Sequence, residues 1–430
     1  MKARLLIYST GVFCLLMILL PFFAFGVESS SGVNLILYAS SSVFVSFAIY
    51  SLFNSGPKSY NIFSLTYFGA LLSNCYFFSG LQSQRDPEDL FFFLAGALVL
   101  VCIFYFADLI KVKRFCARRL LSINVNYYYL IILALYVSIF SYYGWVYGFR
   151  LSRSIDMHQL VSGSAGQINS GLFGYIKTLQ WSLLMYSLYV KRRYAFLAII
   201  AILFFSVILS VKRGDMVRIA LFYMIYYCHI NLKQGGRQVR SLVIKLTISL
   251  VLIALAISIY GSYRMSIGGS GENEIVNLLG SKVNSPTLSW VYSYFSFNFS
   301  VLKLYYPQHL PPHYPSFLYA LLFDPVVNTV SPSIHGFNAG TFLGNPIANW
   351  GYMYLIPVIV IGLYIALLIA FVKFIDFMPG YIFILMLVSL LVFGNYFQDR
   401  VMLVAIVFSG FSYFFINKRS LRKGKKPQGL

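Results

Sequence analysis

Long apolar runs, separated by short polar and basic segments, follow one another along the whole chain. A helix needs about 20 apolar residues to cross the hydrocarbon core of a bilayer. This pattern predicts an all-α, polytopic membrane protein with about 12 transmembrane helices, built as one integral membrane domain over residues 1–430. The predicted spans lie near 5–25, 33–53, 60–80, 90–110, 126–147, 171–190, 194–211, 216–232, 241–260, 353–373, 380–397 and 401–417.

The composition agrees with this pattern, because 59% of the residues are hydrophobic, only 10% are charged and the mean hydropathy is +0.75. The surface of a water-soluble domain requires roughly a quarter charged residues. The net charge of +21 raises nucleic-acid binding as an alternative, but the Lys and Arg residues lie in short loops and at both termini. We therefore expect membrane lipids as partners and no nucleic acid.

The orientation of the chain follows from its basic residues, which favour the cytoplasmic side of a membrane. With a cytoplasmic N-terminus, 22 of the 33 basic residues fall in predicted cytoplasmic segments. Of the 12 acidic residues, only Asp108 and Asp376 do so. This asymmetry predicts an inner-membrane protein with both termini in the cytoplasm.

Two predicted external segments, 148–170 and 261–352, are longer than joining two helices requires, and long connections are often functional. We expect 261–352 to form one long periplasmic loop that contains short interfacial helices. Within 286–304, four serines at helical spacing share one face and aromatic residues occupy the rest, which predicts a helix lying at the outer interface. Residues 315–323 form a second short candidate, and the rest of the loop is rich in Pro, Gly and Asn.

Four arginines occupy predicted external positions, where the charge bias disfavours them: Arg213, Arg218, Arg264 and Arg400. The first two belong to a predicted tight turn over 212–218. A guanidinium binds phosphate through two parallel hydrogen bonds and keeps its charge, which suits a diphosphate at the membrane surface. Alternatively, each arginine neutralises a lipid phosphate or a neighbouring acid, as Asp215 would for Arg218 and Asp399 for Arg400.

Lys177 and Gln180 lie inside the sixth predicted span, three residues apart and therefore on one helical face. An ionisable group inside a membrane helix is costly and usually faces a polar cavity. The alternative is that the long Lys177 side chain extends to the outer surface and places only its ammonium group in water.

His335 lies near the end of the long loop among small, hydrogen-bonding residues. A neutral imidazole there is suited to taking a proton from a sugar hydroxyl, and Asp324 is the second candidate for this role. The alternative is that His335 is only a turn residue. The sequence has no Walker loop and no HExxH motif, and its five cysteines show no CxxC spacing, so we expect no metal and no cofactor.

Several features follow one another in the second half of the chain. A basic, glycine-containing segment at 212–218 precedes a span that ends in Tyr263-Arg264, and the long loop comes next. The loop closes with Gly336-Phe337-Asn338-Ala339-Gly340-Thr341, and Asn349-Trp350-Gly351 precedes the following span. In this order and topology, roughly residues 200–420 resemble the O-antigen polymerases (Wzy), also called oligosaccharide repeat unit polymerases, of bacterial surface polysaccharide synthesis.

The resemblance implies a metal-independent glycosyltransferase that acts at the periplasmic face of the bacterial inner membrane. It would move a growing glycan from one undecaprenyl diphosphate carrier to the lipid-linked repeat unit on another, with a chain-length regulator protein as a further partner. The four arginines would hold the departing diphosphate, and His335 or Asp324 would activate the acceptor hydroxyl. Contacts with the sugars or the cavity would come from Lys177, Trp290, Tyr292, Asn338 and Trp350.

Two other functions share part of this pattern. An O-antigen ligase uses the same donor and topology but a different acceptor, which the sequence does not display. A lipid-linked oligosaccharide flippase has a comparable number of spans, but it would show short loops throughout and related halves. The dominant external loop of this chain favours the two transferases over the flippase.

The predicted topology places residues 261–352 outside the cytoplasm, and this placement is open to direct labelling. In a cysteine-free version of the protein, Gly271→Cys and Ser333→Cys should react with a membrane-impermeant maleimide in intact spheroplasts. If both cysteines react only after the membrane is opened, the orientation is wrong.

Overall fold

The structure is a computed structural model that describes residues 32–75, 86–112, 123–147, 170–209, 213–233, 298–307, 341–394 and 400–413, together with Leu255, Ser289, Tyr292 and Phe397. Most of the described residues are helical and none of them belongs to a β-strand, which confirms the all-α prediction for this part of the chain. The helices are α1 (Gly32–Ser55), α2 (Ser59–Asn74), α3 (Pro87–Leu109), α4 (Val125–Tyr147), α5 (Ser170–Tyr186), α6 (Arg192–Leu209), α7 (Arg213–Lys233), α8 (Gly344–Trp350), α9 (Leu355–Phe374), α10 (Met378–Ser389) and α11 (Arg400–Tyr413).

Five of the described helices, α1, α3, α4, α6 and α9, are long and apolar enough to cross a membrane. They coincide with predicted spans, because an uninterrupted apolar run forms a helix that satisfies its own backbone hydrogen bonds in lipid. Helices α10 and α11 are apolar but contain only 12 and 14 residues. Helix α7 has 21 residues and charged side chains near both ends, and it is not among the five.

Two of the described helices contain a π-helical segment, in which the backbone turn is wider than in an α-helix. The segment Phe91–Ala95 lies in α3, and Leu203–Leu209 ends α6. Such segments change the direction in which side chains project and occur frequently at functional sites. In α6 the π-helical residue Ser206 is fully buried, and its hydroxyl belongs to the polar cluster described below.

The chain divides into two compact units. Unit 1 comprises Met1–Lys111, Met224–Ile369 and Leu385–Gln398, and unit 2 comprises Val112–Tyr223, Ala370–Ile384 and Asp399–Leu430. Each unit has its own buried aromatic residues and its own buried charged cluster. The two units are therefore described separately.

In unit 1, α1 and α2 form a helical hairpin closed by Gly56, whose φ of +75° is a left-handed conformation that favours glycine. The N-terminus of α2 is bound to the C-terminal end of α3 by a carboxylate. Asp108 Oδ2 accepts hydrogen bonds of 2.7 Å from both the backbone N–H and the hydroxyl of Ser59. An acid at a helix N-terminus satisfies free N–H groups and complements the helix dipole.

The core of unit 1 is aromatic and includes residues from two parts of the predicted loop 261–352. The Tyr67 ring packs against Phe299 at 5.2 Å and against Phe342 at 5.8 Å, and its hydroxyl donates a 2.8 Å hydrogen bond to the Phe93 carbonyl. Phe299 and Phe342 are thus anchored on the same side chain of α2, which is itself bonded to α3.

Residues 298–303 are helical, as the sequence predicts, but their surroundings differ from the predicted interfacial helix. Both the polar residues Asn298 and Ser300 and the apolar residues Phe299 and Val301 are buried. The prediction of a surface helix rests on serines at helical spacing on one face and aromatic residues on the others. Instead, the protein encloses the polar positions as well. Phe299 packs against aromatic side chains of α2 and α3, and Lys303 contacts acidic residues at the start of α3.

In unit 2, α5 packs against α4 and α11. The Tyr186 hydroxyl donates a 2.6 Å hydrogen bond to the Ser409 carbonyl, and the Ser182 and Ser409 hydroxyls are 3.0 Å apart. Small serine side chains let α5 and α11 approach closely, and their hydroxyls bond across the interface.

The close approach of α3 and α9 inside unit 1 depends on the absence of a side chain at Gly96. A methyl group there would lie 2.7 Å from Leu343 Cδ2 and 2.9 Å from the ring of Tyr354, the residue before α9. The Tyr354 hydroxyl donates a 2.7 Å hydrogen bond to the Phe91 carbonyl and accepts a 3.2 Å hydrogen bond from the Gly96 N–H, and these bonds hold the ring in place. We expect Gly96→Ala to destabilise the protein by roughly 1–3 kcal/mol through overpacking. In the control Gly69→Ala, the added methyl meets nothing within 4 Å, and lower backbone entropy should stabilise α2 by about 0.5–1 kcal/mol. Thermal unfolding in detergent measures both, and equal midpoints for the two variants would contradict the packing argument.

Candidate functional site

Helix α5 presents three residues of one face, Lys177, Gln180 and Trp181, to the interior of unit 2. Their spacing of three and four residues aligns them on the helix surface. Lys177 is only 7% exposed, and Gln180 and Trp181 are fully buried. Lys177 therefore does not extend to the surface, and the interior position is the one that the structure shows.

The Lys177 ammonium group has three acceptors on three different helices or turns. It donates to Gln180 Oε1 at 2.9 Å, to Ser206 Oγ at 3.0 Å and to a carboxylate oxygen of Asp215. An ammonium group has three hydrogens, so three acceptors match its donor capacity. Ser206 comes from the π-helical end of α6, and Asp215 comes from the first turn of α7.

Asp215 stands between two cations. Its Oδ2 contacts Lys177 and the Ser206 hydroxyl, and its Oδ1 accepts a 3.0 Å hydrogen bond from Arg218 Nη1, one turn further along α7. The Asp215 side chain is 2% exposed and that of Arg218 is 18% exposed. Two cations share one carboxylate, so these three groups carry one positive charge in excess.

The Trp181 indole lies beside both cations. Its ring centroid is 5.6 Å from Lys177 Nζ and 5.7 Å from Arg218 Cζ, and the ring also packs against Phe383 at 5.9 Å. The face of an indole attracts cations, most strongly where water is excluded. We call Lys177, Gln180, Trp181, Ser206, Asp215 and Arg218 the Lys177 cluster.

The Lys177 cluster joins two of the residues that the sequence analysis selected, Lys177 and Arg218. The predicted turn over 212–218 is helical from Arg213 onward. The alternative in which Asp215 pairs with Arg218 is the arrangement observed. Trp181 and Ser206 were missed, because neither a tryptophan nor a serine inside an apolar run signals a polar site by itself.

The other predicted site residues fall into three groups. Tyr292 and Trp350 are half-buried residues of unit 1. Five other positions lie outside the described residues: Trp290, Arg264, Asp324, His335 and Asn338. For Arg213 and Arg400, the backbone is described and the side chains are not.

Unit 1 contains a second buried charged cluster, which the sequence analysis missed. Lys303 Nζ donates to Asp86 Oδ2 at 2.7 Å and to Asp89 Oδ2 at 3.3 Å, and the Tyr306 hydroxyl donates to Asp89 Oδ1 at 2.7 Å. Asp89 and Tyr306 are fully buried. We call these four residues the Lys303 clamp, since they bind the segment 298–307 to the start of α3.

A polar contact also joins the start of α3 to the turn before α9. The Tyr352 hydroxyl donates a 2.9 Å hydrogen bond to Glu88 Oε1 at the protein surface. This hydrogen bond raises the pKa of Tyr352 above its ordinary value, because a proton shared with a carboxylate is harder to remove. The acidic side chains of Asp86 and Asp89 thus take part in the Lys303 clamp, and that of Glu88 takes part in the contact with Tyr352.

Among the described residues, no group of three or more His, Cys, Asp or Glu side chains is arranged to hold a metal ion. The charge in the Lys177 cluster is instead supplied by an ammonium and a guanidinium. Such a set of donors is suited to binding the oxygen atoms of an anion.

No family model, no curated protein and no solved structure matches this chain. The functional argument therefore rests on the residues themselves.

The Lys303 clamp predicts a large loss of stability when its cation is removed. Lys303→Met removes the ammonium group that contacts the fully buried Asp89 carboxylate, and breaking a buried pair costs about 3–5 kcal/mol. Lys191→Met is the matched control, because Lys191 is exposed at the start of α6. Unfolding midpoints in detergent measure both, and the double variant Lys303→Met/Asp89→Asn should recover part of the loss. A Lys303→Met midpoint equal to that of Lys191→Met would show that the clamp contributes nothing.

Proposed function

We propose that this chain is an O-antigen or related surface polysaccharide polymerase, a glycosyltransferase of the bacterial inner membrane. It transfers a growing glycan from one undecaprenyl diphosphate carrier to a lipid-linked repeat unit at the periplasmic face. The observation that carries this proposal is the Lys177 cluster, in which two cations beside a buried indole share the carboxylate of Asp215. A membrane-embedded cationic site matches a substrate whose reactive end is an anionic diphosphate.

The proposed topology has about twelve spans, both termini in the cytoplasm and the residues 261–352 outside. Contacts between helix ends support this arrangement. Lys177, Ser206 and Asp215 belong to three helix ends that the alternation of spans assigns to the outer side, and they contact one another. On the cytoplasmic side, Asp108 contacts Ser59, and the Lys191 N–H donates to Asn126 Oδ1 at 3.2 Å.

The transfer reaction requires stabilisation of a departing anion. The acceptor hydroxyl oxygen forms a bond to the anomeric carbon of the donor glycan, while the bond from that carbon to the diphosphate oxygen breaks. The diphosphate leaves with the electron pair and gains negative charge, so preorganised cations lower the barrier. We assign this role to Arg218, together with Arg213, Arg264 and Arg400, and no metal ion or cofactor is needed in this scheme.

The hydroxyl proton needs an acceptor as the new bond forms, and we assign it to His335 or Asp324. Trp290, Tyr292, Asn338 and Trp350 are proposed to contact the sugars, since aromatic faces pack against the apolar faces of sugar rings. The proposed partners are the lipid-linked oligosaccharide, the membrane lipids and a chain-length regulator protein.

Deletion of the gene in its host separates this proposal from the functions that share its donor or its topology. Loss of a polymerase leaves surface glycans with one repeat unit, and loss of a ligase leaves long carrier-linked chains that never reach the lipid core. Loss of a flippase leaves carrier-linked repeat units on the cytoplasmic side. Either of the last two phenotypes would refute the polymerase assignment.

The proposed role of Arg218 is tested by a substitution that keeps its charge. Arg218→Lys loses the planar donor fork, so we expect polymerisation of lipid-linked repeat units by purified protein in nanodiscs to fall about tenfold or more, which corresponds to roughly 1.4 kcal/mol of barrier. Arg193→Lys is the control, because Arg193 is exposed and stacks on Tyr194 at the start of α6. The same assay applies to Arg213→Lys and Arg264→Lys. A normal glycan ladder from Arg218→Lys at equal protein level would show that its role is structural.

A further inference from the structure

Two nitrogen donors beside the Lys177 cations lack a hydrogen-bond partner. They are the amide Nε2 of Gln180 and the indole Nε1 of Trp181, on side chains that are both 0% exposed. Buried donors in proteins are nearly always paired, and the hydrocarbon of a membrane supplies no water to pair them. Two adjacent exceptions in one polar cluster therefore indicate an absent acceptor.

The orientation of the Gln180 amide is determined by its neighbour. Its Oε1 accepts a 2.9 Å hydrogen bond from the Lys177 ammonium group, so Nε2 occupies the other edge of the amide. Exchanging the two atoms would place an NH₂ group against an ammonium group, which has no acceptor. The unpaired edge of Gln180 is thus a donor and not an acceptor.

A third buried group without a partner lies on α4. The Tyr136 hydroxyl is unpaired, its residue is fully buried and its ring packs against Phe205, the residue before Ser206. The donors that lack acceptors therefore come from both α4 and α5.

The missing partner must supply several acceptor atoms beside two cations. Water molecules would accept hydrogen bonds from the three donors, but each would also bring donors of its own to a site whose side chains already donate. A phosphoryl group supplies three or more acceptor oxygens and no competing donor, and its oxygens form short hydrogen bonds to charged donors. Its chemistry therefore matches both the unpaired donors and the neighbouring cations.

We propose that Lys177, Gln180, Trp181 and Arg218 form a buried phosphoryl-binding pocket, in which Asp215 is a built-in counter-ion. Gln180 Nε2 and Trp181 Nε1 donate to the phosphoryl oxygens, and the two cations balance the charge. Asp215 holds the cations together when the pocket is empty and limits the affinity for the anion. Assigning this anion to the diphosphate of the glycan carrier rests on the proposed function, whereas phosphoryl binding itself does not.

The pocket is tested with inorganic pyrophosphate and the purified full-length protein in phospholipid-free detergent. Pyrophosphate should raise the unfolding midpoint of the wild type more than potassium chloride at equal ionic strength, because ligands that bind only the folded state stabilise it. Trp181→Phe keeps an aromatic ring and removes the donor. We expect it to unfold somewhat below the wild type without pyrophosphate, because the smaller ring leaves a cavity, and to bind pyrophosphate roughly tenfold more weakly.

Two further variants probe the charge balance. Gln180→Glu keeps an acceptor for Lys177 and replaces the donor edge by a negative charge, so it should abolish the pyrophosphate effect. Asp215→Asn removes the counter-ion, so its midpoint should fall without anions and rise most steeply with pyrophosphate. Trp145→Phe is the control, because Trp145 is 89% exposed on α4, and it should behave like the wild type.

The outcomes separate the pocket from the proposed function. No pyrophosphate-specific stabilisation of the wild type, or an unchanged effect in both Trp181→Phe and Gln180→Glu, overturns the pocket, even if Arg218→Lys impairs polymerisation. A pyrophosphate effect that both variants lose supports the pocket, even if no polymerisation is found. Adding polyprenyl diphosphate or phosphatidylglycerol then identifies the source of the phosphoryl group, since tighter binding of one of them shows whether a carrier or a membrane lipid occupies the pocket.

Discussion

Burying the ammonium group of Lys177 inside an apolar helical bundle imposes a strict requirement on unit 2. A charge in a low-dielectric interior is stable only when acceptors surround it in good geometry. The acceptors come from α5 itself, from the π-helical end of α6 and from the first turn of α7. The register of these three helices is therefore linked through one nitrogen atom. A shift of α6 by one residue would move Ser206 away from the cluster.

Unit 1 meets the same requirement with the opposite sign. There the buried charge is the Asp89 carboxylate, and its partners Lys303 and Tyr306 come from a distant part of the sequence. Two carboxylates surround one cation in the Lys303 clamp, whereas two cations surround one carboxylate in the Lys177 cluster. The clamp thus has no excess of positive charge, and its geometry serves to hold the chain segment 298–307 against α3.

The sequence predicts the five described spanning helices well and the pairing of the polar residues only in part. An apolar run of 20 residues is a local signal, so α1 and α9 lie close to their predicted spans. Lys177 is conspicuous because a charge interrupts such a run. For Arg218, the sequence indicates either a phosphate ligand or a partner of Asp215. Ser206 and Lys303 gave no comparable signal, because their importance depends on contacts with residues 9 and more than 200 positions away. Long-range partners of this kind are set by helix packing, which a single sequence does not display.

The observed pairing of Arg218 with Asp215 is compatible with anion binding and even favours it. In an empty pocket without a carboxylate, the two cations would repel each other, and this repulsion would destabilise the folded state. It would also retain a phosphorylated product, since affinity gained equally by substrate and product slows release without speeding the chemical step. One carboxylate between two cations gives an empty state that can fold. The unpaired donors of Gln180 and Trp181 then supply the directional contacts that the charge alone does not, and they distinguish a binding pocket from a structural ion pair.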